Sequence, residues 1–162
     1  MKILRLHLQN VHALRNQWTI QFDQFPLYEA GLFAITGPTG GGKSSLLDAI
    51  IVALYGRVPR YGHNTPTELM TRHTAETLIE LDFAVQQGRF RARWNLRRAR
   101  GQATGRVQPA RHELQNLETN QTLDLRSSDV PKEVEKLTGL NMERCPGSYT
   151  HLRAHETNSN RV

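Results

Sequence analysis

Gly37-Pro38-Thr39-Gly40-Gly41-Gly42-Lys43-Ser44 sets a lysine and a hydroxyl directly behind a run of glycines, and it matches G-x-x-x-x-G-K-[ST] at every fixed position. These residue types suit a triphosphate. Glycines let the backbone curl until successive N–H groups point inward at phosphate oxygens, and a helix starting there adds its partial positive charge. Lys43 is expected to reach the β- and γ-phosphates as a point charge, the Ser44 hydroxyl to serve as a ligand to Mg²⁺, and Ser45 to add a phosphate contact. The candidate nucleotide-binding residues are therefore Gly37, Pro38, Thr39, Gly40, Gly41, Gly42, Lys43, Ser44 and Ser45. The competing reading is a glycine-rich turn that merely joins a strand to a helix.

The flanks speak for the first reading. Gly31-Leu32-Phe33-Ala34-Ile35-Thr36 is a short apolar run that suits a strand buried on both faces. After the loop, Leu46, Leu47, Ala49, Ile50, Ala53 and Leu54 recur at helical spacing up to Tyr55, and Gly56 stands where a helix stop is expected. Upstream, Ile3 to Gln9 alternates with Leu4, Leu6 and Leu8 on one face, and Trp18, Ile20 and Phe22 alternate again after a loop over residues 10–16, which predicts a hairpin edge. Phe25 to Ala30, with Pro26, is a connection.

Beyond the helix, Gly56 to Pro66 is rich in Gly and Pro and reads as an exposed loop, with a short helical turn at Glu68-Leu69-Met70. Thr77 to Val85 then alternates, with Ile79, Leu81 and Phe83 on one face and Glu80 and Asp82 on the other. Gln86-Gln87-Gly88 marks a turn into a strand whose core face holds Phe90, Ala92, Trp94 and Leu96, and whose opposite face holds Arg91, Arg93, Asn95 and Arg97. That opposite face is expected to be strongly basic. Arg98 to Pro109 reads as a mobile tip or loop, and Arg111 to Leu117 as a returning strand. Val130, Val134 and Leu137 space a short helix, preceded by Ser127, Ser128 and Asp129 as cap candidates and ended by Gly139.

The run from Arg89 to Arg111 carries eight arginines and no acid. Arg89, Arg91, Arg93, Arg97, Arg98 and Arg100 read either as phosphate contacts to duplex DNA or as a solvated sheet face. A net charge of +6 and a pI near 10.0 in 162 residues favour anionic partners without choosing between these. His12 and Arg15 fall in the loop after the first strand, while His63, His73 and His112 lack partner spacing and read as surface histidines. The single Cys145 excludes an internal disulfide, and neither a zinc spacing nor a signal peptide nor a membrane-spanning stretch is recognisable. The expectation is a soluble cytoplasmic protein.

Taken together, Met1-Lys2-Ile3-Leu4, Gly31 to Tyr55 and Glu68-Leu69-Met70-Thr71-Arg72 resemble the N-terminal ATPase segment of the SbcC family, the large subunits of bacterial SbcC–SbcD nucleases. The resemblance runs from Met1 to about Arg144, with Leu137-Thr138-Gly139-Leu140 as its last piece. One departure is Gly41, where the family often has Ala. The resemblance implies an α/β P-loop NTPase, the N-terminal half of an SMC/ABC-type ATPase head with an antiparallel β subdomain. It also implies ATP and Mg²⁺ as cofactors, and as partners an SbcD-type nuclease subunit, double-stranded DNA, the chain's own C-terminal lobe and a second head in a homodimer, without a membrane. Related heads place nucleotide-contacting groups near His12 and Arg15, where a plain surface-loop role is the other reading.

On this reading the chain is a nucleoid-associated cytoplasmic ATPase fragment, residues 1–144, that couples ATP binding and hydrolysis to DNA end processing and is inactive by itself. The magnesium-binding aspartate strand, the signature motif, the coiled coil and the γ-phosphate-sensing glutamine of the family are not recognisable in it. Residues 145–162 resemble a translated sequencing-library adapter, and a divergent native terminus is the alternative. Two other classes compete for the whole: a stand-alone P-loop nucleotide-binding module, and another P-loop enzyme such as a small kinase.

Overall fold

The computed structural model describes residues 1–29 and 34–142. Gly31 to Phe33 of the expected strand, and the 145–162 tail, lie outside them.

Strands β1 (Lys2–Val11), β2 (Leu14–Gln21), β3 (Glu76–Val85), β4 (Gly88–Arg97), β5 (Arg111–Asn116) and β6 (Gln121–Thr122) form one sheet in the order β2-β1-β3-β4-β5-β6. Every pairing is antiparallel. Alternation sorts the side chains by face: Leu6, Leu8, Ile79, Leu81, Phe83, Phe90, Ala92, Trp94, Leu96 and Leu114 are buried on one side, and arginines and carboxylates occupy the other. The β1–β2 hairpin closes through the two residues His12 and Ala13, with His12 in the left-handed region at φ 51°. β2 is the sheet edge, and Trp18 on it, opposite buried Leu8, is 53% exposed.

Helix α1 (Lys43–Tyr55) covers that face through Ala49, Val52, Ala53, Leu54 and Tyr55, joined by Val130 and Val134 of α3 (Val130–Thr138). Both helices end as the glycines foretell, with Gly56 at φ 70° and Gly139 at φ 68°, each N–H closing on the carbonyl four residues back. α1 crosses the sheet diagonally. Its start meets Leu14 at the β2 edge, and near its end the Ala53 carbonyl accepts from His112 of β5.

Three expectations are corrected. Ala34 to Thr36 is exposed, with Ile35 at 40%, and pairs with none of the six strands; a strand buried on both faces needs hydrogen-bonded neighbours, and the described sheet offers none there. The Gly56–Pro66 stretch is more than an exposed loop, since Val58 is fully buried and two elements of regular structure follow, a 3₁₀ segment over Pro59–Asn64 and α2 over Thr65–Leu69. Arg98 to Pro109 is, as expected, the loop between β4 and β5, and its backbone is held by Ala99 N–H to Arg106 O (2.9 Å), Gly105 N–H to Gln102 O (2.8 Å) and Gln108 N–H to Arg97 O (2.9 Å). Finally, His112 is buried, at 4% exposure, rather than on the surface as His73 is. Its Nε2–H donates to Ala53 O at 2.8 Å, one of the carbonyls left without a partner at the end of α1, and its own N–H donates to Ser127 Oγ at 3.0 Å. Burial pushes its pKa down, against the smaller opposing pull of that carbonyl.

Candidate nucleotide site

The glycine loop enters α1 without a side-chain cap. Gly40 and Gly42 take left-handed φ values of 82° and 86°, which only glycine adopts without strain, and together they turn the chain into the first helical turn. The helical ladder begins with Leu46 N–H to Gly42 O at 3.2 Å, so the N–H groups of Lys43, Ser44 and Ser45 precede it and have no intrahelical carbonyl to bond. Lys43 bends back over the loop, its Nζ donating to Gly37 O at 2.8 Å and Pro38 O at 2.9 Å. The Gly41 N–H bonds Pro38 O at 3.1 Å, and a Cβ at Gly41 would meet that oxygen at 3.0 Å. An alanine there thus needs the Pro38 carbonyl to yield by a few tenths of an ångström. Behind the loop stands Leu14, whose Cδ2 would lie 2.8 Å from a Cβ at Gly42.

This arrangement is a concentration of N–H donors and one ammonium at the positive end of a helix, which is what an anion cradle requires. Of the expected residues, Gly37 and Pro38 offer carbonyls to Lys43, Gly40 to Gly42 form the turn, and Ser44 and Ser45 sit in the first helical turn, Ser45 buried.

The hairpin turn adds groups beside α1. Asp48, four residues after Ser44 and fully buried, has Oδ2 3.5 Å from His12 Nε2. The His12 ring stacks on Tyr61 at a centroid distance of 5.7 Å, and its backbone is tied by His12 N–H to Leu69 O (2.8 Å) and Thr71 Oγ1 to His12 O (2.7 Å). His12 therefore lies against α1 one turn beyond Ser44, while Arg15 is exposed and reaches the Arg72 carbonyl at 3.4 Å. The reading of the sequence passed over Asp48. The signal for it was an acid inside the apolar run Leu46-Leu47-Asp48-Ala49-Ile50, at a position one turn from the loop's hydroxyl.

The arginine face is built differently from expectation. Cross-strand register sets Asp82 against Arg91, Glu80 against Arg93 and Glu76 against Arg97. Arg91 forks onto Asp82 at 2.7 and 2.9 Å, Arg5 bonds Asp82 at 3.0 Å and Glu80 at 3.1 Å, and Arg93 and Arg97 lie 3.5 and 3.6 Å from Glu80 and Glu76. The face is thus a ladder of ion pairs and not a uniformly basic surface. Burial, the largest single influence on the Asp82 carboxyl, pushes its pKa up, but the hydrogen bonds and charges of Arg91 and Arg5 together outweigh it and hold the group below the usual carboxylate value. Among the described residues, no carboxylate lies within salt-bridge distance of Arg89, Arg100, Arg106 or Arg111.

Residues 5–143 match the AAA domain family. The SbcC subunit of the SbcCD nuclease from Pseudomonas aeruginosa is 40% identical over 159 residues, taking in 87% of this chain and 13% of that protein. Its counterpart from Rhodobacter capsulatus is 37% identical over 161 residues, with shares of 88% of this chain and 13% of the relative. A probable DNA double-strand break repair Rad50 ATPase from Aquifex aeolicus is 29% identical over 141 residues, with shares of 86% and 13%. The chain therefore spans only a small part of the length of the curated relatives it matches. Among solved structures, the SMC head domain from Thermotoga maritima shares the fold with a TM-score of 0.52 at 17% identity, covering 82% of this chain and 42% of that one.

Proposed function

We propose, for a chain that belongs to the AAA domain family and is homologous over most of its length to SbcC, that it is the ATP-binding half of an ATPase head in a DNA double-strand-break repair nuclease complex. The observation that carries this is the uncapped start of α1, where the N–H groups of Lys43, Ser44 and Ser45 have no intrahelical acceptor and the Lys43 ammonium folds back over the exposed glycine loop. Those donors fit a polyphosphate, and in exchanging the Gly37 and Pro38 carbonyls for phosphate oxygens Lys43 trades neutral acceptors for charged ones. The Ser44 hydroxyl is the ligand this chain offers to Mg²⁺, which when bound neutralises charge on the phosphates.

ATP binding and hydrolysis by the whole protein would then be coupled to DNA end processing by an SbcD-type nuclease subunit, in the cytoplasm and near the nucleoid. Large apolar side chains left exposed at Phe25 (77%), Tyr28 (49%), Ile35 (40%) and Leu140 (43%) support contact with a further lobe of the head, and by extension pairing of two heads. Duplex DNA is the proposed polyanionic partner, with Arg89, Arg91, Arg93, Arg97, Arg98 and Arg100 as the residues to be tested. No helix among the described residues is long and apolar enough to cross a membrane.

The test is titration of the chain with a fluorescent ATP analogue, with and without Mg²⁺. Saturable binding that is strengthened by Mg²⁺ and lost in Lys43→Ala is expected. Binding that ignores both would remove the loop from the site.

A further inference from the structure

The outer sheet face carries an arginine row along β4, and three of its four members have a carboxylate of β3 directly across: Arg91 and Asp82, Arg93 and Glu80, Arg97 and Glu76; Arg89, at the far end of the strand, faces Ala84. Glu113 of β5 flanks Arg93 on the other side. The innermost pair is the tightest, a two-donor fork at 2.7 and 2.9 Å onto a side chain only 10% exposed, with Arg5 adding a third donor at 3.0 Å. A phosphate approaching Arg91 would have to break this fork and would leave the Asp82 charge beside its own, in a site too dry to screen the repulsion. The β4–β5 connection differs. Arg100 and Arg106 are both exposed and have no carboxylate within salt-bridge distance, and the loop that carries them is closed by Ala99 N–H to Arg106 O at 2.9 Å and Arg98 Nη1 to Gly105 O at 3.1 Å.

We propose that Glu76, Glu80 and Asp82 act as internal stand-ins for phosphate, occupying the arginine row and displacing polyanion binding from the sheet face to Arg100 and Arg106 on the β4–β5 loop. The inference rests on the reading of this chain as part of a DNA-binding ATPase. It narrows that reading from a basic face to a basic tip, and it assigns the β3 carboxylates a role in specificity: the paired part of the face, from Arg91 to Arg97, is closed to nucleic acid, with Arg89 and Arg111 left at its margins.

The experiment measures binding of a labelled DNA duplex and, separately, of heparin to the 162-residue chain across a salt series. Glu80→Gln with Asp82→Asn frees arginines already in place, so both probes should bind on the order of tenfold more tightly, with a salt slope steeper by about two counterions. Arg100→Gln with Arg106→Gln should cost on the order of tenfold, while Arg91→Gln with Arg93→Gln in the otherwise unaltered chain should change affinity by less than about twofold. Because Asp82→Asn changes a buried side chain, Glu80→Gln alone, checked for native circular dichroism, decides the matter if the double variant does not fold. Unchanged affinity in the folded carboxylate variants, or a loss on changing Arg91 and Arg93 that the loop variants do not show, overturns the proposal. If heparin affinity rises as stated while no variant binds duplex, the ladder stands and the DNA reading fails.

Discussion

Gly42→Ala tests whether the phosphate loop is shaped by its backbone alone or also by the hairpin behind it. Two costs can be separated. A left-handed φ of 86° is strained for any residue with a Cβ, by roughly 1–2 kcal/mol. The new Cβ would also lie 2.8 Å from Leu14 Cδ2, which must leave its rotamer for about 1 kcal/mol more. The sum of about 2–3 kcal/mol corresponds, for a chain of this size, to a melting temperature lowered by roughly 5–10 °C. Shortening the obstacle relieves the second cost and leaves the first. In a cycle with Leu14→Ala, thermal and urea unfolding should show the two substitutions coupled by about 1 kcal/mol, the double variant being more stable than the single costs predict. Affinity for an ATP analogue should stay low in the double variant, since the turn still lacks its glycine. Additivity within about 0.3 kcal/mol would refute the role given to Leu14. Full nucleotide affinity in Gly42→Ala would refute the role given to the left-handed turn.

Lys43→Ala removes two hydrogen bonds from the loop and the charged donor to a bound phosphate, so ATP-analogue affinity should fall on the order of 10²-fold while far-ultraviolet circular dichroism stays native. His112 is held neutral by burial, with its folded pKa below the unfolded one, so its contribution to stability is complete above about pH 6.5 and is lost as the pH falls from there toward the folded value. Urea midpoints should show that acid slope, and His112→Gln should flatten it. Arg91→Ala leaves Asp82 with Arg5 as its remaining arginine and should cost about 1–2 kcal/mol at neutral pH. Asp82 has a folded pKa below its unfolded one, so its contribution is present above the usual carboxylate value, and the difference between the two proteins should shrink as the pH drops below about 4.

What the sequence determined by itself is what neighbours along the chain decide. The glycine turn into α1, the alternation of β3 and β4, and the glycine stops at Gly56 and Gly139 follow from spacings of one to four residues, because dihedral preference and side-chain direction are set at that range. Glu80 and Asp82 could be assigned to one face of β3, and the arginines to one face of β4, from alternation alone. That the two faces are the same face, with Arg5 joining from 77 residues away in sequence to meet Asp82, was decided by the β1–β3 and β3–β4 registers. His112 read as a surface residue since no local pattern marks a histidine that the crossing of α1 over β5 will bury against Ala53. Likewise, Leu14 and His12 looked like parts of a turn, and only the docking of that turn against the start of α1 sets one behind Gly42 and the other beside Asp48. Ala34 to Thr36 shows the same limit from the other side: its apolar residues state a preference for a buried strand, but a strand is a pairing, and whether partners lie alongside is a property of the folded molecule.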